Sequence, residues 1–199
     1  MYPLSQSQLG IYFTCQHLNE TTGNYQMCFL YRLTPTINLK QLKRSLEAVV
    51  AEHSYIASRI SISSNGIPTL EQGKTVFKAK IQKIKSIVEV RSTFCRTMNL
   101  DEEQLFRAEI YETENGNFLY LDFHHIIMDG MSLGMFMSEL EKAYAGEALQ
   151  REEKDGFTIA LDEVALRESE KYEEARQWYE KKFAGAIDLE STPLPDLYD

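Results

Sequence analysis

The sequence has few cysteines, no excess of positive charge and no long apolar run. Its 199 residues include three cysteines, Cys15, Cys28 and Cys95, an odd number without CxxC spacing. This pattern argues against a disulfide framework and favours a reducing, cytoplasmic setting. A formal net charge of −9 argues against a nucleic-acid partner, which requires basic patches. Neither a membrane-spanning stretch nor a secretory N-terminal pattern is present.

The chain also lacks internal repeats and low-complexity tracts, and 43% of it is hydrophobic, enough for one sizeable core. Hydrophobic periodicity and capping residues predict a series of helices and strands. The predicted helices cover 6–18, 39–53, 86–98, about 131–145 and 172–183, with one more before the last. The predicted strands cover 25–33, which we expect to be central, 68–72, 76–81, 105–112 and 117–123, with hairpin turns at 63–66 and 114–117.

The most informative stretch runs from Leu119 to Phe136. It predicts a strand that ends in two histidines, then an Asp-Gly turn, then a helix. His124 and His125 are adjacent, so on extended backbone their side chains point in opposite directions. One of them can face a cleft while the other is buried as support.

Two other interpretations of these histidines stay open on the residues alone. Both can be satisfied polar groups at a strand end, and the Asp129–Gly130 pair by itself signals only a turn. A metal site would use Asp129 as a third ligand. However, adjacent strand residues do not share a face, and His17 and His53 are remote in the sequence, so a metal is disfavoured.

Residues 124–130, HHIIMDG, resemble the HHxxxDG signature of the condensation domains of nonribosomal peptide synthetases. Related signatures occur in a superfamily that includes chloramphenicol acetyltransferase, carnitine and wax-ester type acyltransferases, and epimerisation and cyclisation domains. The opening residues 2–13, YPLSQSQLGIYF, are similar to the family's first motif, with Ser5, Gln8 and Tyr12 at matching positions.

Residues 51–62, AEHSYIASRISI, resemble the family's second motif, in which His53 matches. The family often has an arginine at the position of Ala57. Here the basic residue is Arg59, which shares a strand face with position 57 and can serve in its place, although a surface-edge arginine is an equal alternative. Phe106 and Arg107 are similar to the family's strand beside the signature. Residues 174–186 resemble its aromatic helix.

The resemblance spans nearly the whole chain but only about half of such a domain. It implies an α/β (α+β) fold, a chloramphenicol acetyltransferase-like lobe with a mixed, mostly antiparallel sheet flanked by helices. Residues 1–188 would form the N-terminal lobe. Residues 189–199, with two prolines, would be a linker toward a C-terminal lobe.

The resemblance implies amide formation between a donor acyl thioester and an acceptor aminoacyl thioester, both held on the phosphopantetheine of carrier proteins. His125 would face the tunnel between the lobes, as a base or only as a positioning group, and the amide of Gly130 would stabilise the oxyanion. His124 and Asp129 would be structural, with Arg59 pairing with Asp129. Neither a metal nor a directly bound cofactor is implied.

The expected partners are carrier protein domains, the C-terminal lobe and an adenylation domain in the same polypeptide. Alternatives are an epimerisation-type, cyclisation-type or freestanding O-acyltransferase relative, or a non-catalytic lobe that only docks carrier proteins. Cyclisation relatives replace the histidines with acidic residues, unlike this chain. Because half a tunnel cannot exclude water, we expect the isolated lobe to be inactive.

Overall fold

The computed structural model describes residues 1–17, 23–73 and 76–185, and the chain divides into two compact units, Met1–Leu161 and Asp162–Asp199. The predicted linker 189–199 lies outside the described residues. The regular elements, in chain order, are β1 (Tyr2–Pro3), α1 (Gln6–His17), β2 (Gln26–Arg32), α2 (Leu39–Glu52), a 3₁₀ turn (Ser54–Ala57), β3 (Arg59–Ile62), β4 (Pro68–Glu71), β5 (Lys80–Lys83), a 3₁₀ segment (Ile87–Thr93), β6 (Phe106–Thr113), β7 (Gly116–His124), α3 (Gly130–Ala145), α4 (Gly156–Arg167) and α5 (Glu170–Phe183).

The strands of the described residues form two sheets, in the orders β2-β7-β6-β5 and β1-β4-β3. All pairs are antiparallel except β5 with β6. This confirms the predicted fold class, a mixed and mostly antiparallel sheet with helices. The predicted hairpins are also confirmed: β3 joins β4 through Gly66 and β6 joins β7 at Gly116, and both glycines have positive φ.

Strand β7 is the best buried strand, because both of its faces are covered. Leu119 and Leu121 lie on one face of the strand and are 2% and 0% exposed. Tyr120 and Asp122 lie on the other face, where the ring of Phe94 stacks on Tyr120 at 4.4 Å between centroids. The strand that carries the two histidines to its end therefore has a fixed position in the core.

Helices α2 and α3 pack against each other and support this sheet. Asn38 begins α2, since its side chain accepts a hydrogen bond from the Gln41 amide at 3.1 Å. On α3, the ring of Phe136 packs edge-to-face on Phe123 of β7 at 5.3 Å. This contact holds α3 against the C-terminal end of β7. Helix α3 ends, as predicted, at Gly146 in the left-handed conformation.

Three predicted elements were wrong in position or form. The predicted helix 86–98 is only a 3₁₀ segment, Ile87–Thr93, without a buried residue, so it lacks the packed face that stabilises a longer helix. The strand predicted over 76–81 is β5, Lys80–Lys83. Strand β2, expected to be central, is an edge among the described strands and pairs only with β7.

Helix α5 belongs to the second unit, and its N-cap is Ser169, whose hydroxyl oxygen accepts a hydrogen bond from the amide of Tyr172. On its surface, Arg176 forms ion pairs with Glu173 and Glu180. The helix also carries an aromatic pair, in which Trp178 packs edge-to-face on Tyr179. The helix predicted over 172–183 is therefore present, with two further residues at its start.

Candidate active site

The two histidines of the signature lie in different environments. His124 is the last residue of β7, pairs in register with Gln26 and is 0% exposed. His125 is the first residue beyond the strand and is exposed. Its backbone amide donates to the carbonyl of Tyr25 at 2.7 Å, which extends the β2–β7 pairing by one bond. The structure therefore has one buried and one exposed histidine, as the opposite directions of adjacent strand residues predicted.

The buried imidazole of His124 holds the turn that follows it. Its Nδ1 accepts a hydrogen bond from the amide of Ile126 at 3.2 Å, so Nδ1 carries no proton. The proton therefore resides on Nε2, which lies 3.9 Å from Sγ of Cys15. Burial, with a smaller contribution from the charge of His125, lowers the pKa of His124 to about 4. The imidazole of His124 is therefore neutral at physiological pH.

Asp129 caps the N-terminus of helix α3, and its predicted partner Arg59 binds elsewhere. The Asp129 carboxylate accepts a hydrogen bond from the Ser132 amide at 2.8 Å, and this bond lowers the pKa of Asp129. Arg59 is half-exposed on β3 and pairs with Glu71 of β4 at 2.8 Å. The predicted Arg59–Asp129 pair was wrong, because a cross-strand carboxylate and a helix amide satisfy the two groups separately.

Gly130 is the first residue of α3 and is exposed. A backbone amide at this position has no partner within its own helix, and the capping carboxylate of Asp129 is bonded to Ser132 instead. A Cβ at Gly130 would meet nothing within 4 Å, so packing inside the chain does not require glycine there. The space on the Cβ side of Gly130 is therefore open.

An open cleft of about 760 Å³ lies beside His125 in the first unit. Its walls come from the start of α1, the 3₁₀ turn Ser54–Ala57, residues 125–129, one side of α3 and residues 150–156. Asp129 lines this cleft together with Gln8 and Tyr55, whereas Gly130 lies just outside the lining. His124 and Arg59 do not line it. The structure therefore brings together His125 and Asp129, with Gly130 adjacent.

His53, matched by the second motif, lines the other part of the same cleft and is 8% exposed. Its Nδ1 lies 2.8 Å from a carboxylate oxygen of Glu152, and its Nε2 lies 3.8 Å from Glu139. Neither nitrogen is aligned for a hydrogen bond with a described residue. Lys142, 2.6 Å from Glu139, is the main cause of the lowered pKa of Glu139.

A buried carboxylate that the sequence analysis did not single out lies two residues before His124. Asp122 is 0% exposed and lies 2.9 Å from the guanidinium of Arg107. The hydroxyl of Tyr120 donates to it at 3.0 Å, and the Cys28 thiol donates at 3.4 Å. Burial raises the pKa of Asp122, and the charge of Arg107 opposes that shift. The sequence signal for these buried polar contacts of Asp122 was an acidic residue within a largely apolar strand, because a buried carboxylate needs partners.

The described residues provide neither a metal site nor a membrane span. They contain no group of three or more His, Cys, Asp or Glu side chains that could hold a metal ion. Within the same ranges, every helix is too short or too polar to cross a membrane.

The comparisons with known proteins agree on one family. The family model described as Condensation domain matches residues 1–198. Surfactin synthase subunit 2 of Bacillus subtilis (strain 168) is 29% identical over 205 aligned residues, covering 98% of this chain and 6% of that protein. Bacitracin synthase 1 of Bacillus licheniformis is 27% identical over 200 residues, covering 97% of this chain and 4% of that protein.

Solved structures show the same fold. The starter condensation domain of rhizomide synthetase matches with a TM-score of 0.79 at 15% identity, over 94% of this chain and 48% of that chain. The first condensation domain of the CDA synthetase matches with a TM-score of 0.67 at 19% identity, over 94% and 51%. The chain thus spans about half the length of these structures, which agrees with the single lobe expected from the sequence.

Proposed function

Because the chain belongs to the condensation domain family, we propose that it is one lobe of an amide-forming acyltransferase of a nonribosomal peptide synthetase. The substrates are a donor acyl thioester and an acceptor aminoacyl thioester, each on the phosphopantetheine arm of a carrier protein. A C-terminal lobe supplies the opposite wall of the cleft, and an adenylation domain belongs to the same polypeptide. The protein acts in the cytoplasm, in keeping with its three cysteines, an odd number without CxxC spacing.

The observation that carries this proposal is the exposed imidazole of His125 in the cleft, on backbone that the buried His124 holds. Histidine readily takes up and releases a proton near neutral pH. In the proposed step, the acceptor amine attacks the donor carbonyl carbon and forms the C–N bond while His125 takes the amine proton. The C–S bond then breaks, and the pantetheine sulfur leaves with that proton.

The developing oxyanion requires a donor that is in place before the reaction. The amide of Gly130 is suited to this, because it lies at a helix N-terminus, where it has no partner within its own helix. Asp129 supports the step indirectly, by holding the first turn of α3. Much of the rate would come from alignment of the two tethered substrates in the cleft.

The test is His125→Ala in the full-length protein with loaded donor and acceptor carriers. We expect amide formation to fall by about 10²-fold or more with unchanged folding, since general base catalysis contributes about 10²–10⁴-fold. His17→Ala, at an exposed histidine on α1, is the matched control and should retain activity. The isolated 199-residue chain should not turn over, because its cleft is open to water.

Two results would contradict the proposal. Undiminished amide formation by His125→Ala would remove the role of the imidazole. A wild-type protein that binds loaded carriers but never joins their acyl groups would instead be a docking lobe.

A further inference from the structure

The side chain of Gln8 connects three distant parts of the chain. Its Nε2 donates to the carbonyl of Ile126 at 2.9 Å and to the hydroxyl of Tyr55 at 2.6 Å. Its Oε1 accepts from the amide of Ser5 at 2.9 Å, and the Ser5 hydroxyl accepts from the Gln8 amide at 3.2 Å. The Ser5–Gln8 bonds form a reciprocal capping box at the start of α1. The cap uses only the side-chain oxygen of Gln8 and leaves its amino group for Ile126 and Tyr55.

The bond to Ile126 is placed where it can act on the exposed histidine. The His125 amide is held by the Tyr25 carbonyl at 2.7 Å, and the Ile126 amide is held by His124. Gln8 holds the Ile126 carbonyl by a third hydrogen bond. Backbone groups on both sides of the His125 side chain are therefore fixed. Only the side-chain torsions of His125 remain free to set the position of its ring.

We propose that Gln8 is a positioning residue for His125, and that its amino group, through the Ile126 carbonyl, keeps the imidazole in its working orientation. This inference rests on the proposed function. It assigns a role to the matching glutamine of the first motif beyond capping the helix. Gln8 does not act on the substrates through this bond, because both N–H groups of its carboxamide are engaged by Ile126 and Tyr55.

Two substitutions separate the donor role from the capping role. Gln8→Glu keeps an oxygen acceptor for the Ser5 amide, and the Tyr55 hydroxyl can reverse and donate to it, but the carboxylate cannot donate to Ile126. Gln8→Lys does the opposite, since an ammonium group can donate to Ile126 but cannot accept from Ser5. A negative charge suits a helix N-terminus and a positive charge does not, so Gln8→Glu should be the more stable variant.

The measurement is kcat and KM for amide formation, with its pH profile and the Tm, in the full-length protein. We expect Gln8→Glu to lower kcat about 10- to 100-fold with KM for the carriers unchanged, the cost of a misplacement of about 1 Å. Gln8→Lys should retain more activity than Gln8→Glu despite its lower Tm. Gln16→Glu, on the same helix, removes an exposed bond to Asp101 and should leave kcat unchanged.

A double variant completes the test. If Gln8 acts through His125, Gln8→Glu should cause no further loss in a His125→Ala background. Full activity of Gln8→Glu, additive losses, or activities that follow Tm across the two Gln8 variants would each overturn the inference. If His125→Ala itself is fully active, the proposed function fails and this inference fails with it. If His125→Ala is inactive and Gln8→Glu is not, only the role of Gln8 is lost.

Discussion

Lowering the pH should destabilise this protein through His124, before most of its carboxylates are protonated. The pKa of His124 falls from its usual 6.5 to about 4 because the ring is buried. Between these two values the unfolded chain binds a proton at this site and the folded chain does not, so stability rises with pH in this window. The contribution of His124 is present above about pH 6.5 and is lost as the pH falls toward 4.

The size of the effect follows from the shift. A depression of about 2.5 units, at about 1.4 kcal/mol per unit, corresponds to about 3 kcal/mol. For a domain of about 200 residues this lowers Tm by about 6–12 °C. The side chain is 0% exposed, so little of this is screened by solvent.

The comparison should be made with His124→Asn, whose side-chain oxygen can still accept from the Ile126 amide but does not titrate. Its smaller side chain costs the same at every pH, so the difference between wild type and variant isolates the titration. Urea denaturation followed by circular dichroism between about pH 7 and pH 4 gives the unfolding free energies. The wild-type protein should lose about 3 kcal/mol more than the variant.

His125→Asn at the exposed neighbour is the matched control, and it should keep the steep acid dependence of the wild type. Carboxylates contribute acid sensitivity to all three proteins, and that contribution cancels in the difference. Parallel stability curves for wild type and His124→Asn would show that the buried ring takes up its proton without cost, and would refute the argument.

Further predictions concern the helix cap and the two arginines. Asp129→Ala should lose about 1 kcal/mol and 2–4 °C in Tm, while Asp129→Asn restores most of it because asparagine also caps; unchanged Tm with lost amide formation would move Asp129 into the chemical step. Arg59→Ala should change the unfolding free energy by less than about 1 kcal/mol, because the Arg59 side chain is half-exposed to solvent. Arg107→Ala should cost about 3 kcal/mol or more, since it leaves the carboxylate of Asp122 buried without its cation. Equal effects of the two arginine variants in urea denaturation would contradict this ranking.

Local patterns predicted the part of the site that local chemistry controls. The alternation along 117–123 identified β7, and the opposite directions of consecutive strand residues separated His124 from His125. The Asp-Gly turn and the helical spacing after it identified α3. Each of these depends on residues within a few positions of one another, so the sequence is sufficient to predict them.

The incorrect predictions have a common physical cause, because each depended on which surfaces meet. The stripe over 86–98 resembles a helix, but its apolar residues do not form one packed face: Phe94 stacks on Tyr120 of the sheet, whereas Val88 is largely exposed. Arg59 was expected to share a strand face with position 57, but Ala57 lies in the 3₁₀ turn, and the pairing of β3 with β4 places Glu71 directly opposite Arg59. No spacing along the chain indicates which strand will be the neighbour.

By itself, the sequence determined the family and the identity of the residues at the end of β7, since seven consecutive residues carry the signature and neighbouring positions set their directions. Only the tertiary structure decided which groups hold those residues in place. Gln8 and Ile126 are 118 positions apart, and Arg107 and Asp122 meet only because β6 pairs with β7. Contacts between distant segments depend on the packing of the whole core, which no local pattern encodes.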